Sequence, residues 1–226
     1  MSQLCLVLAS GGPLEVHRFS IREEIAALFT VKVLARSPDP ALDLRALLGQ
    51  PAALHLLDLD RRWSGVCNHA RLVQAVDVGL SSVGLSTYEI TLVPRLWLLT
   101  QRTRYRIFQH LSIPAIARAL LDDWSMTAAS RWSIREDQHP PHPYRVQYGE
   151  TDHHFLSRLL EEAGIATTHD DTEADTEADA SVLVLSDALH ETALRREPAL
   201  QHIESPTERS PREWVTRVSI DEELRP

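Results

Sequence analysis

The chain has 226 residues, 43% of them hydrophobic and 24% charged, which describes a globular protein with a real core and excludes global disorder. Its formal net charge is −9 and Lys32 is its only lysine, so it lacks the clustered basic surface that a nucleic-acid partner requires. The opening residues, MSQLCLVLASGG, have no basic start, and no apolar run is long enough to span a membrane, so neither stable membrane insertion nor a Sec-type signal is expected.

The first hundred residues read as short strands. Residues 4–9 alternate, as do 26–35, where Phe29, Val31 and Val33 share one face. Ser37-Pro38-Asp39-Pro40 punctuates the chain, and LDLRALLG then reads as a short helix stopped by Gly49. Residues 52–59 alternate again, with Leu54, Leu56 and Leu57 as inward candidates. Asp58-Leu59-Asp60 turns into a hairpin partner over 62–76 that carries Trp63 and Gly65. Gly79 and Gly84 mark the next turn, before a strand at 88–93. Strands at this spacing predict a small antiparallel barrel or sandwich. Cys5 and Cys67 stand apart in apolar strand contexts and are expected as buried, reduced thiols.

From about Arg102 the pattern changes. Arg102, Arg104 and Arg106 form the densest basic set of the chain. Ser112 can cap a helix with Pro114 in its first turn, and Ile113, Ile116, Ala117, Leu120 and Leu121 form its apolar stripe, extended by Trp124. His139-Pro140-Pro141-His142-Pro143 reads as an extended linker. A short strand follows at 144–148. Thr151 or Asp152 can then cap a second helix, whose Phe155, Leu156, Leu159 and Leu160 face the core until Gly164. Strands are expected at 165–169 and 181–186, joined by an acidic loop containing the tandem TEAD-TEAD of residues 172–179. That loop lacks the glycine-containing pattern of a calcium loop and reads as solvated. Residues 191–212 are polar with three prolines, a long surface segment, before a last strand at 214–220.

No catalytic, metal or cofactor set emerges. His153 and His154 are adjacent, so on a helix they point about 100° apart. Cys67 and His69 can share a strand face, but no second pair of ligand spacing joins them. The nucleophile elbow, the dinucleotide-binding glycine motif and the phosphate loop are all absent. A hydrolase built on Glu150 or Asp152 would need a pocket holding a carboxyl with a raised pKa. Their position at a helix start fits compensation of the helix dipole better.

Two long blocks carry a family resemblance. They are YEITLVPRLWLLTQRTRYRIFQHLSIP, residues 88–114, and YRVQYGETDHHFLSRLLEEAGI, residues 144–165. With WSGV at 63–66 and VLVLSD at 182–187, they resemble the N-terminal, phage-tail-hub-like region of the VgrG spike proteins of type VI secretion. The matching features are an aromatic-x-Gly-Val hairpin, a Pro-Trp-Leu turn, an Ile-Phe-Gln helix entry and a Gln-Tyr-x-Glu-x-Asp-x-x-Phe corner. The resemblance implies a mainly β fold with an α+β insertion. Residues 1–101 would be a tail-hub-type antiparallel barrel, and residues 102–226 an α+β subdomain with two helices and a strand-rich end. It further implies a homotrimeric ring in the full-length protein, contacting an Hcp-type hexameric tube, baseplate proteins and effector or adaptor proteins. Such a protein resides in the cytoplasm before firing and leaves through the type VI apparatus. The acidic loop departs from the family pattern. The second barrel and needle expected next in the family would lie beyond Pro226, so the chain is expected to be the first part of a hub, a fragment or a short gene product. A stand-alone adaptor that recruits an effector, or a remnant of a spike gene, is the alternative.

Trp63, Trp97 and Phe108 are the expected packing aromatics, each equally an ordinary core residue. Gly65 and Pro94 belong to the hairpin and the turn. Gln147, Tyr148, Glu150 and Asp152 are expected to fix the strand-to-helix corner above Phe155. With Asp152 as the cap, Asp152→Ala would cost around 1 kcal/mol.

Overall fold

Alternation in the first part of the chain builds six strands: β1 (Leu4–Leu8), β2 (Glu15–Arg22), β3 (Thr30–Ser37), β4 (Pro51–Leu56), β5 (Arg61–Gln74) and β6 (Ser86–Val93). In this computed structural model, which describes residues 4–9, 14–57, 61–75, 85–171, 181–191, 201–202 and 214–215, they form one antiparallel sheet in the order β1-β4-β5-β6-β3-β2. The sheet curls into a half-barrel around Phe29, Val31, Val33, Leu54, Trp63 and Ile90. Fully burying a side chain of the Val, Leu or Phe class stabilises by about 1.5–3 kcal/mol over leaving it in water.

Between β3 and β4 lies α1 (Leu44–Leu47), capped by Asp43, whose Oδ1 accepts from the N–H groups of Arg45 and Ala46. Gly49 then takes φ +76° and donates to the Cys67 carbonyl at 2.8 Å, which ties the helix exit to β5. Gly65 has a different reason to be glycine. A Cβ there would sit 2.0 Å from the Val93 carbonyl oxygen, so no side chain fits between β5 and β6.

After Pro94 a 3-10 turn, Arg95–Gln101, sends Leu96 and Leu99 into a second core. Then come β7 (Thr103–Leu111), α2 (Ile113–Asp122), β8 (Ser130–Ser133), β9 (His142–Thr151), α3 (Asp152–Glu162), β10 (Ala166–Asp170) and β11 (Val182–Ser186). The expected apolar stripes of α2 and α3 are all buried in this core. Ser112 Oγ caps α2 by accepting from Ala115 N, and Gly164 ends α3 at φ +66°. β11 pairs antiparallel with β10 and parallel with β8, while β7 and β9 form a separate two-stranded ribbon.

The chain divides into two compact units, Met1–Leu189 and His190–Pro226. In the second, β12 (Gln201–His202) pairs in parallel with β13 (Trp214–Val215). The TEAD repeat and most of the polar segment 191–212 fall outside the described residues, as does 216–220 of the last expected strand.

Several expectations need correction. Strands β2, β7 and β8 were not anticipated. β2 is largely solvent-facing, β8 has only four residues, and in β7 arginines stand where inward apolar residues would reveal a strand. β9 begins at His142, so the end of the proline-rich linker is already strand; Pro143 is tolerated because the ribbon has only two strands. Cys67 is buried, but Cys5 is exposed. It occupies the outward position between Leu6 and Leu4 on a strand at the sheet edge. Leu57 lies just past β4 and is exposed rather than inward.

Candidate functional site: the ribbon and its helix corner

The segment from Arg102 to Arg106 alternates arginine with uncharged residues, and a period of two places all three guanidinium groups on one face of a strand. In β7 that face is the inner one, directed at α2 and α3. There Arg106 Nη1 donates to Asp123 Oδ2 at 2.6 Å, while Arg102 and Arg104 each approach the same oxygen at 3.4 Å.

Asp152 is the centre of the corner. Its side chain is fully buried, and it receives more donors than any cap needs. Oδ2 accepts from Arg102 Nε at 2.7 Å and Trp124 Nε1 at 3.0 Å. Oδ1 accepts from Gln147 Nε2 at 2.8 Å and Arg106 Nη2 at 3.2 Å. Burial alone would raise this carboxyl, but the bonds from Gln147, Trp124 and Arg102 outweigh it and hold the pKa below the usual aspartate value. Gln147, itself buried, also accepts from Arg106 Nε at 3.0 Å and donates to the Glu150 carbonyl. The Arg102 guanidinium stacks over Trp124 at 4.3 Å.

The cap of α3 is Thr151, whose Oγ1 accepts from His154 N at 3.1 Å. Asp152 is therefore the first helical residue and not the cap, and the small capping cost expected for its loss is the wrong quantity. Glu150 grips Arg158 through both oxygens, and those bonds, ahead of burial, lower its pKa. Arg158 in turn donates to the Val146 carbonyl at 2.8 Å, bracing β9 on α3. A hydrolase reading requires a raised carboxyl at Glu150 or Asp152; both are lowered.

The other predicted residues are spread over the fold. Trp63 is buried in the half-barrel with the Arg61 guanidinium 4.8 Å from its ring. Pro94 is buried at the start of the 3-10 turn, and Trp97 is half-buried within it. Phe108 stacks on Phe155 with centroids 5.6 Å apart, pinning the ribbon to α3. Tyr148 points outward, 79% exposed, and meets Tyr105 edge-to-face at 5.2 Å. Gly149 (φ +63°) makes room for that pair, since a Cβ would lie 2.9 Å from the Tyr105 hydroxyl.

A second joint was not anticipated. Asp171 Oδ1 accepts from Ser64 N at 3.2 Å and Ser64 Oγ at 2.9 Å, linking the foot of the β10–β11 hairpin to β5. Ser181 Oγ lies 2.6 Å from the Ser64 carbonyl and 2.7 Å from Asp171 Oδ1, within donating distance of either. Burial raises the Asp171 pKa against the serine hydrogen bonds. Nothing in the local sequence marks this aspartate, because its serine partners lie far away in the chain.

Known proteins resemble this arrangement. Type VI secretion system spike protein VgrG1c of Pseudomonas aeruginosa PAO1 is 39% identical over 159 residues, 67% of this chain and 20% of its own length. VgrG4b of the same strain is 35% identical over 152 residues. The chain spans about a fifth of the length of these curated relatives. Among solved structures, the E. coli c3393 protein matches with a TM-score of 0.74 at 26% identity, over 88% of this chain and 52% of that one. It is described as a type VI component structurally similar to the T4 tail proteins gp27 and gp5. A chain of the Francisella PdpA-VgrG complex shares the fold, with a TM-score of 0.51 at 14% identity, over 85% of this chain and 30% of that one. The model for the phage tail baseplate hub (GPD) matches residues 22–226, a span that takes in most of the half-barrel and the whole ribbon corner, and the chain belongs to that family.

Proposed function

We propose that this chain is a structural hub component of a type VI secretion spike and acts by position rather than by catalysis. The observation that carries this reading is the use made of the corner's chemistry. Asp123, Glu150 and Asp152 are all engaged by arginines that lock the ribbon onto the helices, as a part that transmits force requires. The similarity to VgrG spike proteins and to the c3393 structure supports the same assignment.

In this reading residues 1–101 form the barrel of a hub ring and residues 102–226 its outer α+β part. The full-length protein is a homotrimer seated on an Hcp-type tube, it meets baseplate and effector proteins, and it leaves a cytoplasmic pool through the apparatus. Trp63, Gly65, Pro94, Trp97, Phe108 and Phe155 serve packing of this part, Gln147, Glu150 and Asp152 fix its corner, and Tyr148 stands on the outer face of the ribbon instead of in that corner. The test is deletion of the gene in a strain lacking other spike genes. Release of the tube protein into the medium should fall to background and return on complementation; unchanged release overturns the reading. A second reading, a stand-alone effector adaptor, draws on the exposed apolar face of the ribbon. It expects normal tube release and loss of one effector only.

A further inference from the structure

Between helix α3 and the loop that joins β2 to β3 lies a groove of about 480 Å³. Its apolar walls are Leu28, Leu96, Leu156, Leu160 and Ile165. The loop side is held in place, because Ala26 takes φ +59° and donates its N–H to the Thr167 carbonyl at 2.9 Å. A cleft of this size, apolar with a few polar groups, has the make-up of a site that holds a ligand.

The polar groups are His153, Ser157 and Glu161, all on α3. Intervals of four residues set them in one row along the helix, about 12 Å long at a rise of 1.5 Å per residue. Among the described residues, none of the three side chains finds a hydrogen bond or an ion pair. Their neighbours do. Glu150 is held by Arg158 and Glu162 by Arg145, so the arginines closest to Glu161 in sequence on α3 and β9 are already committed.

Charge and length point to the occupant. Glu161 stands in the last turn of α3, where the helix dipole disfavours a carboxylate, and no basic residue occupies that turn. With 32 acidic and 23 basic residues, the chain cannot pair every carboxylate from its own resources. Burial lowers the pKa of His153, so its ring is neutral at pH 7 and does not repel a cation entering the groove. A row of about 12 Å matches about four residues of extended chain, in which alternate side chains point the same way.

We propose that this groove docks an extended segment of a partner protein carrying a lysine or arginine two positions from a large apolar residue. The apolar side chain enters between Leu28 and Leu156, and the cation pairs with Glu161. The site stands apart from the hub reading, which is tested by tube release. The test selects random heptapeptides displayed on phage against the full natural polypeptide, then measures the enriched peptides by fluorescence anisotropy. They should share the basic and apolar pair at that spacing. Glu161→Gln should weaken them about tenfold or more, the loss of one bond to a charged group. Ser157→Trp, which fills the groove, should also abolish binding, and Glu161→Lys should turn the selection toward acidic peptides. Glu15→Gln removes the same charge from an exposed position on β2 and should change nothing. No enrichment, enriched peptides without the basic residue, or an equal loss in Glu15→Gln overturns the proposal, the last by showing attraction to an acidic surface only.

Discussion

Asp152, at the corner of β9 and α3, is fully buried between Arg102 and Arg106, whereas Asp171, at the foot of the β10–β11 hairpin, is half-buried among the hydroxyls of Ser64 and Ser181. Each carboxyl joins parts of the fold that are distant in sequence. Their pKa values move in opposite directions because the corner surrounds its aspartate with cations and fixed donors, while the hairpin joint leaves desolvation dominant. The corner is thus an ionic joint built on arginines, and the hairpin foot a joint built on serine hydroxyls.

Removing the corner carboxylate should have the largest effect. Asp152→Ala strands two arginines, the Gln147 amide and the Trp124 indole, and should destabilise by about 3 kcal/mol, since taking one partner from a buried ion pair leaves the other uncompensated. Thr151→Ala, which removes only the cap, should lose about 1 kcal/mol. Equal losses for the two variants in chemical denaturation would break the distinction drawn between cap and ionic centre.

Acid should act next, and through the region of the hairpin joint. His169, two residues before Asp171 and edge-on to Phe29 at 5.2 Å, is held neutral by burial, with its pKa lowered from 6.5 to about 4. Because the folded value lies below the unfolded one, the stability it contributes is present above pH 6.5 and is lost as the pH falls toward 4. The loss amounts to about 3 kcal/mol at 1.36 kcal/mol per pKa unit. His153, also lowered by burial, adds in the same sense. Asp152 has a depressed pKa, so its contribution persists through this window and fades only below the ordinary aspartate range. His169→Phe should flatten the slope of unfolding free energy against pH in the window; an unchanged slope would place the acid sensitivity elsewhere.

Gly65→Ala tests whether the hairpin joint depends on the close approach of β5 and β6. The new methyl would meet the Val93 carbonyl oxygen at 2.0 Å, next to the Ser64 groups that hold Asp171. Overpacking of this kind destabilises by about 1–3 kcal/mol, to be read as a lower melting temperature. The smallest effect belongs to Asp171→Asn, which keeps the acceptor oxygen and removes the charge. It should stay within about 1 kcal/mol of wild type. Because the folded pKa of Asp171 is raised, ionising it opposes folding, and the variant should gain relative to wild type as the pH rises above the ordinary aspartate value. A relative loss with rising pH would show that the hairpin joint needs its charge after all.

Much of the fold was legible from neighbouring residues alone. Phe29, Val31 and Val33 announced β3, the stripe from Ile113 to Leu121 announced α2, and Ser112 and Gly164 marked helix ends where they occur. The corner block was also legible, but the roles inside it were not. Thr151 and Asp152 are equally good caps by composition, and only the geometry gives the cap to Thr151 and the ionic network to Asp152. Strand β9 was expected at 144–148, but its partner β7 was missed because its arginines face inward, against the rule that makes strands recognisable.

The sequence by itself determined the local elements, since periods of two and 3.6 residues, caps and stop glycines act through atoms a few residues apart. It also carried the family, whose model matches residues 22–226. The tertiary structure alone decided the strand order, the outward turn of Tyr105 and Tyr148, and the opposite directions in which the pKa values of Asp152 and Asp171 move. The reason is distance along the chain. The partners of these groups lie 46 residues away for Arg106 and Asp152, and 107 for Ser64 and Asp171, so desolvation and pairing arise only when the fold brings them together.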